Sequence, residues 1–118
     1  MKLKKIPLHS YPNGDSVHLR VYEFDSKEPG PTVYIQANVH GSELQGNAVI
    51  YHVLEHLKQG DFKGRWIIVP QANPVGINSK SIHFTNGRVS QISGENFNRT
   101  YSDLSCLLYT SPSPRDRG

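Results

Sequence analysis

Residues 32–73 read as strand, helix, strand, and that order constrains the fold more than any other feature of the chain. TVYIQANV, residues 32–39, is β-branched and largely apolar, as a central strand covered on both faces would be. ELQGNAVIYHVLEHLKQG, residues 43–60, follows it. At about 100° per residue, Val49, Ile50, Val53, Leu54 and Leu57 fall on one face of a helix. Ser42 stands where a cap belongs, and Glu43 stands in the first turn, where the helix dipole favours a negative charge. Gly60 supplies a C-terminal stop. RWIIVPQAN, residues 65–73, is a second buried strand, interrupted near its end by Pro70. Two such strands joined by a helix predict a right-handed βαβ unit with parallel pairing.

The flanking text is of two kinds. Upstream, SVHLRVYEF (16–24) sets Val17, Leu19, Val21, Tyr22 and Phe24 against His18, Arg20 and Glu23, the pattern of a half-buried strand. Asn13-Gly14 predicts a hairpin that returns it to the segment around Leu3–Leu8. Downstream, Asn73 to Tyr101 is rich in Gly, Asn and Ser and reads as loop. A loop that long in a small domain is usually functional or only partly ordered. The 118 residues suffice for one domain with a real core.

Composition excludes several function classes. The net charge is +3 and the 13 basic residues are scattered, with no aromatic interleaving, so no nucleic-acid surface is expected. No apolar run approaches the length of a membrane span. The basic start MKLKKIPLHS lacks the apolar stretch of a signal peptide, and a cytoplasmic location is expected. The one cysteine, Cys106, allows no disulfide framework. From there the text changes to CLLYTSPSPRDRG, and Cys106 to Asp116 resembles a translated sequencing adapter. Residues 106–118 are therefore expected to be an artefactual tail that packs against nothing, and residues 1–105 to be the domain.

Chemistry concentrates at the junction of the first buried strand and the helix. His40 follows the strand, Glu43 opens the helix, and ligands of open α/β sheets sit beyond the carboxyl ends of strands. The H-x-x-E spacing across that turn lets an imidazole and a carboxylate converge on one point. Gly41 removes a side chain that would crowd it. Imidazole nitrogen and carboxylate oxygen are normal zinc ligands. The plainer alternative is a loop histidine beside a carboxylate that serves the helix dipole. HVLEH, residues 52–56, matches an inverted zinc-protease pattern, yet His52, Glu55 and His56 fall opposite Val53 and Leu57 on the solvated face. In GENFNRTY (94–101), Asn98 and Arg99 place an amide beside a guanidinium, whose planar fork suits a carboxylate. Arg88, in TNGRVS, is a second loop arginine that can face the same cleft.

Taken in order, strand-HGSE-helix, strand-PQANPVGIN and NFNR resemble the succinylglutamate desuccinylase/aspartoacylase family, a branch of the zinc carboxypeptidase superfamily. The resemblance covers roughly residues 30–104. It implies an α/β fold, a truncated three-layer αβα arrangement on a largely parallel or mixed sheet. It implies His40 and Glu43 as ligands of one Zn2+ per complete domain. It implies Asn98 and Arg99 as the clamp for a substrate carboxylate, and Arg88 as the arginine that polarises the scissile carbonyl. The family pattern usually has Asp where this chain has Asn96, and its third zinc ligand and general-base glutamate come later than any residue here. His83 lies too early to be that ligand. The expectation is a zinc-dependent hydrolase cleaving an amide of an N-acyl amino acid or similar small molecule. A peptide-cleaving carboxypeptidase and a non-catalytic binding domain of the same fold are the alternatives.

Overall fold

The computed structural model describes residues 1–79, 87–90 and 93–99. Four strands form one sheet: β1 (Lys2–Ser10), β2 (Ser16–Asp25), β3 (Thr32–Gln36) and β4 (Arg65–Val69). Their order is β1-β2-β4-β3. The sheet is mixed. β3 and β4 pair in parallel, Val33 beside Trp66 and Ile35 beside Ile68, whereas β1–β2 and β2–β4 are antiparallel. The β1–β2 hairpin turns through Asn13-Gly14 as expected, with Gly14 at φ +91° and its N–H donating to the Tyr11 carbonyl at 3.0 Å. Its register slips between Pro7 and His9, where proline has no N–H to give to the ladder.

Helix α1 (Gln45–Lys58) joins β3 to β4 and lies over one face of the sheet. Ile50 and Leu57 of the helix meet Phe24, Ala37 and Ile68 in the core, with Tyr22, Ile35, Val53, Leu54, Phe62 and Trp66 packed around them. Each side chain fully buried in this way stabilises the fold by about 1.5–3 kcal/mol. The helix stops where the sequence predicts. The Gln59 and Gly60 N–H groups bond back to the His56 and Leu57 carbonyls, and Gly60 takes φ +84°. His52, Glu55 and His56 are exposed, and Glu55 pairs with Lys58, so the HVLEH stretch is an ordinary solvated face.

Four expectations are corrected. The helix begins at Gln45, so Ser42 does not cap it and Glu43 does not sit in its first turn. Residues 40–43 instead form a turn of their own, closed by the Glu43 N–H on the His40 carbonyl at 3.2 Å. Val49 is 61% exposed because it lies about 100° around the helix from Ile50, off the edge of the apolar stripe. β3 is a terminal strand in the order, and β4 takes the central position. Residues 73–79 are not loop: Pro74–Asn78 form a short helix, α2, capped by Asn73, whose Oδ1 accepts the Gly76 N–H at 2.8 Å with Pro74 in the first turn. Among the described residues no helix is long and apolar enough to cross a membrane. The tail at 106–118 and His83 lie outside the described residues.

Candidate metal and substrate site

Beyond Gln36 the β3 chain leaves the regular ladder but stays tied to β4. Ala37 N–H bonds to the Val69 carbonyl at 3.0 Å, and the Ala72 and Asn73 N–H groups bond to the carbonyls of Ala37 and Asn38. Asn38 then takes φ +61°, a left-handed conformation that asparagine tolerates better than most residues. This reversal aims the following residues back over the end of the sheet. Asn38 is buried, and its Nδ2 donates to the carbonyls of His40 at 2.9 Å, Gly41 at 3.4 Å and Glu43 at 3.2 Å. One amide thus holds the whole HGSE turn.

That turn brings His40 and Glu43 together. His40 is only 4% exposed, whereas half of the Glu43 side chain faces solvent. His40 Nδ1 lies 2.9 Å from Glu43 Oε1. Two ligands on one tetrahedral zinc stand about 3.3 Å apart, given bond lengths near 2.0–2.1 Å. An imidazole nitrogen and a carboxylate oxygen converging at this distance fit such an ion as two members of its ligand set. Among the described residues no cluster of three or more His, Cys, Asp or Glu side chains completes that set. The hydrogen bond to His40 holds the Glu43 carboxyl below its ordinary value of 4.5. Partial desolvation opposes this, and the positive charge of Arg88 assists it.

Residues 87–90 and 93–99 close over the turn. Val89 bridges Asn96, the Ser90 N–H bonds to the Glu95 carbonyl at 2.8 Å, and the Phe97 N–H bonds to the Arg88 carbonyl at 3.2 Å. This arm carries Arg88, whose Nη1 is 4.0 Å from Glu43 Oε1. It also carries Asn96, whose Oδ1 is 2.8 Å from His40 Nε2. Asn98 is half-buried in a 3-10 turn (Phe97–Arg99). Arg99 is exposed, and its Nη1 donates to the Asn98 carbonyl at 2.8 Å. The structure therefore gathers His40, Glu43, Arg88 and Asn96 at one place, and describes no contact from Arg99 to the first three.

Gly41 has a different task from the one its sequence position suggests. A Cβ there would overlap the backbone of Gly76, and a Cβ on Gly87 would come within 2.8 Å of Gly41 Cα. Three bare backbones meet at this point, and the Gly41 N–H donates to the Gly87 carbonyl at 3.0 Å. The missing side chain makes room for α2 and the closing arm, not for a metal. Asn73 ties the same three pieces, its Nδ2 reaching the Val39 carbonyl at 3.1 Å and the Gly87 carbonyl at 3.2 Å. Sequence reasoning missed Asn38 and Asn73. The Asn73-Pro74 pair is a helix-start signal that was available, while nothing in the sequence marks Asn38 as the holder of the turn.

Comparison with known proteins agrees with this geometry. The succinylglutamate desuccinylase/aspartoacylase catalytic domain matches residues 29–114. A succinylglutamate desuccinylase/aspartoacylase family protein from Shewanella amazonensis is 46% identical with a TM-score of 0.76, over 87% of this chain and 28% of that one. A second from Shewanella frigidimarina is 41% identical with a TM-score of 0.77, over 89% and 28%. The ectoine utilization protein EutE of Ruegeria pomeroyi, solved with product bound, is 27% identical with a TM-score of 0.62, over 82% and 28%. No curated protein matches by sequence. The chain spans somewhat over a quarter of the length of these solved relatives. On the extent of these matches, the chain belongs to the succinylglutamate desuccinylase/aspartoacylase family.

Proposed function

We propose that this chain carries part of the active site of a zinc-dependent hydrolase that cleaves the amide bond of an N-acyl amino acid or a similar carboxylate-bearing small molecule. The observation that carries the reading is the approach of His40 Nδ1 to Glu43 Oε1 at 2.9 Å, beyond the carboxyl end of a parallel strand. These two atoms would hold the ion as two of its ligands. When bound, zinc supplies Lewis acidity toward a carbonyl and lowers the pKa of a water molecule. Arg88 stands beside Glu43 with most of its side chain in solvent. There it can offer positive charge to an oxygen on which negative charge develops. Asn98 and Arg99 would orient the acid end of the substrate, the guanidinium by paired N–H donation. The third ligand and the general base fall to residues later than this sequence, and the work of such an enzyme is assigned to the cytoplasm.

Turnover of acylated acidic amino acids with added zinc tests the reading. The 118-residue chain alone is expected to show none, because two ligands retain zinc poorly and no group takes the proton of water. The chain extended to its relatives' length is expected to hydrolyse them and to lose that activity on His40→Ala or Glu43→Ala. Full activity after His40→Ala in the extended protein would sink the metal reading. Turnover by the short chain that vanishes on His40→Ala would place the missing ligand and base within this sequence.

A further inference from the structure

The β1–β2 hairpin sets Lys5 directly opposite Arg20. Residues paired in this way share one face of the ribbon, their Cβ atoms about 4.5–5.5 Å apart, and like charges there are destabilising. The pairs on either side of them on that face are Leu3 with Tyr22 and Pro7 with His18, which bring no carboxylate. By contrast, Lys4, Lys27, Lys58, Lys63, Arg65 and Arg88 each lie within 4.0 Å of a carboxylate oxygen. Among the described residues, Lys5 and Arg20 have no such partner. Both are exposed, so an anion from solution can reach them.

Arg20 also lines a cavity of about 110 Å3 with Tyr22, Pro70 and Gln71. The place of that cavity follows from Pro70. The β2–β4 ladder runs from Asp25 beside Arg65 to Tyr22 beside Ile68, and β4 ends at Val69. Pro70 has no N–H to continue it, and its carbonyl accepts from the Asn47 amide of α1 at 2.8 Å. The gap opens between β2 and the end of β4, whereas His40 and Glu43 lie beyond the end of β3. Ammonium, guanidinium, glutamine amide and tyrosine hydroxyl can all donate hydrogen bonds, and the guanidinium fork matches the two oxygens of a carboxylate. We propose that Lys5, Arg20, Tyr22 and Gln71 form a binding site for a carboxylate, separate from the His40 site. A carboxylate held there offsets the repulsion within the cross-strand pair. Hydrolysis of an N-acyl amino acid releases carboxylates, so the reaction proposed above yields ligands of this class, but the geometry does not rest on that reading. An Asp or Glu side chain from outside this sequence offers the same chemistry.

Titration of the 118-residue chain with acetate at constant ionic strength, followed by NMR of the Arg20 guanidinium and the Gln71 side-chain amide, tests this. The expected shifts saturate with acetate and do not appear with equal chloride. Arg20→Gln is expected to weaken acetate binding about tenfold or more, read at Gln71, and Lys5→Gln about two- to fivefold. Lys63 precedes β4 at its other end, and Lys63→Gln, which removes the same charge, is expected to leave the affinity unchanged. Without acetate, Lys5→Gln is expected to raise the thermal midpoint, because it relieves the repulsion. Shifts that grow linearly with acetate, or that chloride reproduces, overturn the proposal, and that measurement needs no variant to fold. So does an Arg20→Gln chain with circular dichroism like the wild type and undiminished affinity for acetate. The same titration on the chain extended to its relatives' length separates the two sources. Saturation there assigns the site to a free carboxylate, and its loss there, with the short chain still saturating, assigns it to an acidic side chain of the added sequence. An extended protein that saturates with acetate but turns over no acylated amino acid upholds this site and overturns only the hydrolase reading.

Discussion

Asn38 combines two properties that single substitutions can separate. Its backbone occupies φ +61°, and its amide spans three carbonyls of the turn that carries His40 and Glu43. Asn38→Gly keeps the backbone and removes the donor, and urea denaturation should show a loss of about 1–3 kcal/mol for the carbonyls left without it. Asn38→Ala should lose about 1–2 kcal/mol more, since alanine is strained in a left-handed conformation. Equal losses in the two variants would mean that the backbone conformation contributes nothing. Gly41→Ala places a methyl group against the Gly76 backbone, and a packed interior that must shift to admit it is destabilised by about 1–3 kcal/mol. A wild-type denaturation midpoint for Gly41→Ala would show that the three backbones do not touch in solution. At this scale the sequence was legible only locally. His40 and Glu43 are three residues apart, and a strand-to-helix turn is enough to join them. Asn96 reaches His40 across 56 residues, and no local pattern marks that meeting.

Among the elements, β4 holds the sheet together, because it pairs with β2 on one side and β3 on the other. Glu23 of β2 ties this centre to the hairpin, accepting from Lys4 of β1 at 2.7 Å and lying 3.3 Å from Arg65 of β4. The Lys4 hydrogen bond is the main reason that the Glu23 carboxyl stays below its ordinary value of 4.5, with partial desolvation opposing it and the charges of Lys4 and Arg65 assisting. A carboxyl whose folded value is lowered contributes stability above its unfolded value, and that contribution is lost as the pH falls through the folded one. Glu23→Gln should therefore lower the thermal midpoint at neutral pH and converge with the wild type in acid, below 4.5. A gap between the two proteins that stays constant down to that acid range would remove Glu23 as its cause. The element types followed from periodicity, since alternation and a 100° stripe are properties of short stretches. The start of α1 did not follow, because Ser42 and Glu43 look like a cap while side-chain hydrogen bonds from the buried Asn38 hold that segment in a separate turn. Nor did the place of β3, since an apolar strand such as Thr32–Gln36 reads as central whether or not a further strand lies beside it.

Among the described residues, α1 covers one face of the sheet, while the second face has no helix of that length over it and the five residues of α2 lie near β2. Tyr34 remains 57% exposed on that second face. The three-layer arrangement of the family is thus present here as one full layer, the sheet, and the beginning of another, in keeping with a chain that spans 28% of its solved relatives. The meeting of Gly41, Gly76 and Gly87 has a consequence in time. Gly41 must meet two stretches well beyond it in sequence before that contact closes, and non-local contacts of this kind form slowly because loop entropy is lost before they are gained. His40 and Glu43 are neighbours from the first turn, but the arm that encloses them comes last. A metal ion would then act as a late latch rather than a seed. Zinc present from the start of refolding should leave the rate of sheet formation unchanged and slow only the reopening of the arm, as seen by hydrogen exchange at Gly41 and Phe97. Faster sheet formation with zinc would mean that the ion is captured while the rest of the chain is still a coil.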